Sequence, residues 1–523
     1  MLSDEIPVVG NVELEVPSLG KIKGLSYDDQ TCQYLGIQYG EVPGRFRRPK
    51  PSAPWKDGCY DGTKLGPYCP QPPRDFYPIP AAARPWLEMP GTDEFNCLNL
   101  NISVPHMPKS NPELLPVMVF LHGGAFAYAT GSAPIYDGRI LATTAATDLA
   151  RPTIIITLNY RLGVYGFLGG RDIEAYNKEH GESGVGNYGI WDQALALQWI
   201  QKHISGFGGD PQRVTLFGQS AGGVSRVKQF LSADVEKVTA AMVPTFVIPV
   251  VTMSLCDDGV LIPGPMPTAG EYEQFSIPKW CPNVMMVFRC IIWNKSWDTM
   301  SPTPMSKSAD LSTPTATGLL QKLDTFLGPE KAKAIAEIYK ITPTMSDQET
   351  FNTIERFTTH GMYSIPHYFA EQSAPNVYAW HFDVPSPYDN AWGGMAHHSF
   401  DNVLIWGVLK HTLPAAHQRI SELMQEKWVK FAHGEAPWQR FGEEKKWMVF
   451  KEHGAQMMSK EEDVGRGYEE WDRLHELGLV ADFADLSDEI CLRRKDVLTL
   501  DSQAVLGRAV ESSSVEKPGW GIL

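Results

Sequence analysis

The sequence lacks several things, and each absence excludes a class. No apolar run reaches the roughly 20 uninterrupted residues that a helix needs to cross a bilayer. The opening stretch, "MLSDEIPVVG", carries two acids and no apolar core of signal-peptide length. The expectation is a cytoplasmic protein, or a secreted one if the N-terminus is incomplete. Cysteine is sparse: eight in 523 residues, with no CxxC pair and no zinc spacing. That excludes a disulfide scaffold and a zinc ribbon, and most of the thiols are expected reduced. There is no basic excess either. The net charge of −15 argues against nucleic acid or an anionic membrane as the main partner. Internal repeats and low-complexity linkers are absent too.

What is present suits a large core, since 43% of the residues are hydrophobic and 11% aromatic. "LPVMVFLHGG" (115–124) is a Pro-entered apolar strand ending in glycines, and "PTIIITLNYR" (152–161) is a second, rich in β-branched residues. Ile190, Ala194, Leu197, Ile200 and Ile204 recur at helical spacing, and Gly208-Gly209-Asp210-Pro211 ends that helix. "RVTLF" (213–217) is the next strand, followed by a helix after Ser220. "NVMMVFRCII" (283–292) and "NVYAWHF" (376–382) are later strands, and "HQRISELMQEKWVKFAHG" (417–434) is a late amphipathic helix. Strands buried on both faces and alternating with helices predict an α/β fold: a central, mostly parallel sheet with helices on both faces.

The chemistry concentrates at "TLFGQSAGG" (215–223). Ser220 stands between small residues where a buried strand gives way to a helix. A sharp turn there holds a serine Oγ clear of the sheet, and small neighbours let the helix pack close. His122-Gly123-Gly124-Ala125 lies at another strand end. Its glycines can turn backbone N–H groups into a cavity, as acyl transfer requires. Gly123, Gly124 and the N–H of Ala221 are the expected three-donor oxyanion hole. Two such turns at two strand ends make Ser220 a candidate nucleophile.

With these residues in hand, the chain resembles the type-B carboxylesterase family, the cholinesterase- and lipase-related branch of the α/β-hydrolases. The landmarks occur in order: "GIQYGEVPGRFRRP" (36–49), "GPYCPQ" (66–71), "CLNLNISVP" (97–105), "FLHGGAF" (120–126), "NYRLGVYGFL" (159–168), "GNYGIWDQALALQWIQKHISGFGGDPQRVTLFGQSAGG" (186–223) and "AHHSFDNVLIWG" (396–407). The likeness covers about residues 12–450 of a single α/β-hydrolase domain spanning 1–523, with an acidic extension over 451–523. In that extension 16 acids from Glu452 onward face 8 basic residues. The resemblance implies hydrolysis of carboxylic esters through an acyl-serine on Ser220, with no metal and no organic cofactor. Counting back nine residues from Gly407, it gives the catalytic histidine as His398, with His397 a neighbour. It pairs Cys69 with Cys97 as the family's first disulfide, in tension with a cytoplasmic location.

Some features depart from the family. Its triad acid stands in a turn just after a strand matching "VMMVFRC" (284–290), but here Ile291-Ile292-Trp293 follow. Asp298 is the nearest substitute in sequence, with Asp257 and Asp258 further off. Only 36 residues separate Ser220 from "DDGVLIP" (257–263), fewer than the family has. Two explanations stand: a mis-spliced or mispredicted product of an active esterase, or a descendant that has lost catalysis. The intact motifs around both gaps favour the first. The second gives the alternative function, a catalytically inactive, cholinesterase-like binding protein. Gln219 replaces the Glu of cholinesterases beside the nucleophile. That argues against a cationic choline ester. The expected partner is a small-molecule carboxylic ester, uncharged and apolar, and Trp86, Phe126, Tyr128, Tyr165, Trp293, Trp297 and Trp392 could line an apolar gorge suited to bulky uncharged esters. The sequon at Asn101 falls inside a strand and is discounted, as is the one at Asn294.

Overall fold

The computed structural model describes residues 8–28, 31–71, 90–106, 113–224, 315–365, 368–369, 371, 378–389, 393–397 and 399–491. Eight strands form one sheet: β1 (Val8–Val16), β2 (Gly20–Tyr27), β3 (Thr31–Gln38), β4 (Cys59–Asp61), β5 (Asn99–Pro105), β6 (Leu115–Leu121), β7 (Ile154–Leu158) and β8 (Gly209–Gly218). Their order is β1-β2-β3-β5-β7-β6-β8, with β4 beside β2. The sheet is mixed. β7, β6 and β8 run parallel, whereas β1, β2, β3 and β5 pair antiparallel along the other side.

The parallel part is where the chain is most apolar, because both faces of its strands are covered. Along β6, Val117, Val119 and Leu121 join a core with Ile190, Leu197 and Ile200 of helix α2 (Tyr188–His203). The alternate residues Met118 and Phe120 point the other way. They pack with Leu141 of α1 (Gly138–Thr147), Trp406 at the end of a later helix and Trp428 of a longer one. The two-residue period of a strand sends neighbouring side chains to opposite faces, so a continuous apolar run needs a cover on each. Asp137 caps α1 by accepting from the N–H of Arg139.

α3 (Ala221–Val224) follows β8 directly. The strand expected at 283–292 lies outside the described residues. Further on come α4 (Ala316–Leu327), α5 (Pro329–Ile338) and α6 (Asp347–Thr359), the last with a Ser346/Glu349 capping box. α7 (Phe400–Trp406) and α8 (Ala415–Ala432) flank the second core face. A separate three-stranded set joins β9 (Trp380–Phe382), β10 (Trp447–Lys451) and β11 (Gly454–Met458).

The boundary placed near residue 450 falls inside the β10–β11 hairpin, so no extension begins there. Helices α9 (Tyr468–Glu476) and α10 (Val480–Cys491) pack Trp471, Leu474 and Phe483 against Leu323, Ile335, Phe357 and Trp447. In α9 the exposed Glu469 and Glu476 lie opposite the buried Tyr468, Trp471 and Leu474, as in an amphipathic helix. Among the described residues no helix is long and apolar enough to cross a membrane.

Candidate active site

Strand register brings the two glycine-rich turns together. β6 and β8 are parallel neighbours, and Leu121 pairs with Gly218 at their last rung. His122-Gly123-Gly124 and Gln219-Ser220-Ala221 therefore leave the sheet side by side, at the C-terminal edge where parallel sheets place their ligands.

Ser220 has φ of 53°, a left-handed conformation rare for a non-glycine residue and expected of a strained nucleophile turn. It is half-buried, between a buried Gln219 and a buried Ala221. The N–H of Gly222 donates to Gln219 O over 2.9 Å and closes the turn. A Cβ on Gly222 would stand 2.0 Å from Leu121 O and 2.5 Å from His122 O. Only glycine lets the first turn of α3 lie so close to β6.

The glycine loop is equally constrained. A Cβ on Gly123 would lie 2.1 Å from Gln219 Oε1 and 2.6 Å from Gln219 O. Gly124 takes φ of 104°, with Tyr128 O 2.0 Å from the place of an added Cβ. His122 holds this loop in shape. Its Nδ1 bonds Gly123 O at 2.8 Å, its ring stacks on Tyr160 with centroids 4.4 Å apart, and Tyr160 Oη donates to His122 O over 2.6 Å. Burial lowers the His122 pKa to about 4, the bond to Gly123 only partly opposing it. The ring is therefore neutral at pH 7 and donates from Nδ1 to that carbonyl. It acts on the loop and takes no part as a base.

The third element is the segment entering α7. His397 is buried, with its ring 5.4 Å from that of Phe400, a packing neighbour. His398 lies outside the described residues, as do Asp298, Asp257 and Asp258. Ser399 has φ of 74°, and its Oγ accepts from Gln219 Nε2 over 2.7 Å. Asp401, in the first turn of α7, is buried, and its Oδ1 meets no partner among the described residues. Burial raises its pKa to about 6, against backbone N–H bonds that lower it. Sequence reasoning missed Ser399 and Asp401, although both lie within the stretch "AHHSFDNVLIWG" (396–407).

Cys69 and Cys97 are buried free thiols. The neighbouring Cys69 thiol and burial together push the Cys97 thiol up, and the Leu162 N–H donates to Cys69 Sγ over 3.2 Å. Phe126 packs on Phe167 with ring centroids 4.6 Å apart, and the Arg45 guanidinium lies over the Tyr165 ring at 5.6 Å. Trp86, Trp293, Trp297 and Trp392 lie outside the described residues. Among those described, no cluster of three His, Cys, Asp or Glu side chains is placed to hold a metal ion.

This fold is that of the α/β-hydrolases. A solved PNB esterase superposes with a TM-score of 0.59 at 22% identity, covering 87% of this chain and 99% of that one. A Geobacillus stearothermophilus carboxylesterase does so with a TM-score of 0.60 at 21% identity, covering 88% and 99%. Residues 11–245 match the model of the carboxylesterase family. The para-nitrobenzyl esterase of Bacillus subtilis (strain 168) is 41% identical over 209 residues, 39% of this chain and 38% of that one. The acetylcholinesterase of Bungarus fasciatus is 38% identical over 229 residues, 42% and 35% respectively. Lipase 3 of Yarrowia lipolytica is 35% identical over 220 residues, 40% and 41%. The chain thus spans under half the length of these curated relatives.

Proposed function

We propose that the chain is a serine carboxylesterase acting on small, uncharged, apolar esters. The observation that carries this reading is the left-handed Ser220 turn set against the Gly123-Gly124 loop across one rung of parallel sheet. Ser220 Oγ attacks the ester carbonyl, and His398 takes its proton. The carbonyl oxygen gains negative charge between the N–H groups of Gly123, Gly124 and Ala221, where fixed donors need no reorganisation. The tetrahedral species then expels the alcohol, which receives the proton from His398. Water attacks the acyl-serine by the same route and frees Ser220. No cofactor enters these steps.

Residues 291–297, which follow the stretch where the family's acid is expected, contain no Asp or Glu. That supports slow turnover, since loss of the orienting acid costs about 10⁴-fold in the serine-protease case. It also motivates the second reading, a binding protein without catalysis. One experiment separates them: p-nitrophenyl butyrate hydrolysis and fluorophosphonate labelling of the purified chain and of Ser220→Ala. Turnover and labelling that both vanish in the variant support the esterase. A folded wild-type chain with neither sinks it and leaves the binding reading.

A further inference from the structure

Gln219 touches all three parts of the site. Its backbone precedes Ser220 in the turn. Its Oε1 lies against Gly123, so close that a Cβ there would stand 2.1 Å away. Its Nε2 donates to Ser399 Oγ over 2.7 Å, across 180 residues of chain. The side chain is buried, 7% exposed, so water competes little for this bond.

Ser399 needs such a hold. Its φ of 74° is one a non-glycine residue keeps only where its surroundings over-determine it. Two backbone bonds contribute, Phe400 N–H to His397 O and Asn402 N–H to Ser399 O, each 3.2 Å. Both lie within the segment itself, however, and neither ties it to the nucleophile. Gln219 supplies that tie, and it does so without charge. A carboxylate at 219 would have to reverse the bond, accepting from the Ser399 hydroxyl, and would bring a charge beside the Gly123 loop.

We propose that the Gln219–Ser399 hydrogen bond is a strap that sets the spacing between the Ser220 turn and the segment bearing His398. Gln219 and Ser399 are then positioning residues and touch no reacting atom. The inference rests on the esterase reading above. Its physical basis is that small displacements of a nucleophile from its base cost rate far more than they cost binding.

The test compares the wild-type chain with Ser399→Ala, Gln219→Met, the double variant and Ser399→Thr. For each, kcat and KM for p-nitrophenyl butyrate, the rate of fluorophosphonate labelling and the thermal midpoint are measured. Each single variant should lose about tenfold in kcat and in labelling rate, with KM within about twofold. The double variant should be no slower than the worse single one, because both remove the same bond. Ser399→Thr, which keeps the hydroxyl, should recover most of the loss. An active wild type whose Ser399→Ala and Gln219→Met variants keep kcat and labelling rate would overturn the strap and leave the esterase reading intact. A folded wild type with neither labelling nor turnover would overturn both.

Discussion

Arg161 and Asp192 meet in a two-pronged ion pair that is almost wholly buried. Nε and one terminal nitrogen reach the two carboxylate oxygens at 2.8 and 2.7 Å, with the side chains 1% and 0% exposed. The Arg161 N–H adds a third bond to the carboxylate at 3.0 Å, and the guanidinium also donates to Arg47 O over 2.7 Å. The pair ties the exit of β7 to α2, the helix that leads into β8 and Ser220. Its net contribution is small against an apolar pair of the same volume, but removing one member strands a charge. Asp192→Ala should therefore cost about 3–5 kcal/mol, and Arg161→Met in the same chain should recover part of it. Urea midpoints of the three proteins decide the point. A double variant less stable than Asp192→Ala would count against it.

The glycines of the site should tolerate no side chain. At Gly222 the obstacle is backbone, Leu121 O and His122 O, which cannot swing aside. At Gly123 it is in part the movable Gln219 amide, but also Gln219 O at 2.6 Å. Gly222→Ala should abolish fluorophosphonate labelling and lower the thermal midpoint. Gly123→Ala should keep more stability and lose about 10²-fold or more in kcat, as when an oxyanion donor is displaced. Equal kcat in wild type and Gly123→Ala would remove the loop from the proposed hole.

Much of this arrangement was legible in the sequence, for a physical reason. A strand buried on both faces must be apolar throughout, and turns that bring backbone against backbone must use glycine. β6, β7, β8, α2 and the turns after Leu121 and Gly218 could thus be read directly. The antiparallel strands β1–β3 gave weaker signals, because one face of β1 is open and its pattern alternates. The place of β9, β10 and β11 was hidden, since pairing between residues 380 and 447 leaves no local trace. Polar contacts were hardest. Asn101 carries a sequon, yet it is buried in β5, accepts from Gly36 N–H and donates to Ser132 and Thr157. The Gln219–Ser399 bond likewise depends on a meeting that no spacing encodes.

His122 gives a pH dependence of stability with a definite sign. Its pKa falls from 6.5 to about 4 on folding. Below pH 6.5 the unfolded chain binds a proton that the folded chain refuses until about pH 4, so stability drops as pH falls through that window. At about 1.4 kcal/mol per pH unit, the loss approaches 3 kcal/mol by pH 4. Thermal midpoints of wild type and His122→Gln between pH 7.5 and 4 test this. The variant should show the shallower acid slope whatever its stability at neutral pH. Parallel curves would mean His122 is not the group that resists protonation.

Asp401 should act with the opposite sign. Burial raises its pKa from 3.8 to about 6, so the folded chain binds this proton more tightly than the unfolded one. Above pH 6 the carboxyl is ionised in both states and the folded chain carries the cost of burying the charge. As pH falls from 6 towards 3.8 the cost disappears. Asp401→Asn keeps the shape and removes the charge. It should raise stability at pH 8 by about 1–3 kcal/mol, with the gain fading below pH 6. Urea midpoints at pH 8 and pH 5 provide the comparison. A loss of stability at pH 8 would show that the ionised carboxyl is compensated in the folded chain, and that the side chain three positions after His398 is held there by a charge partner.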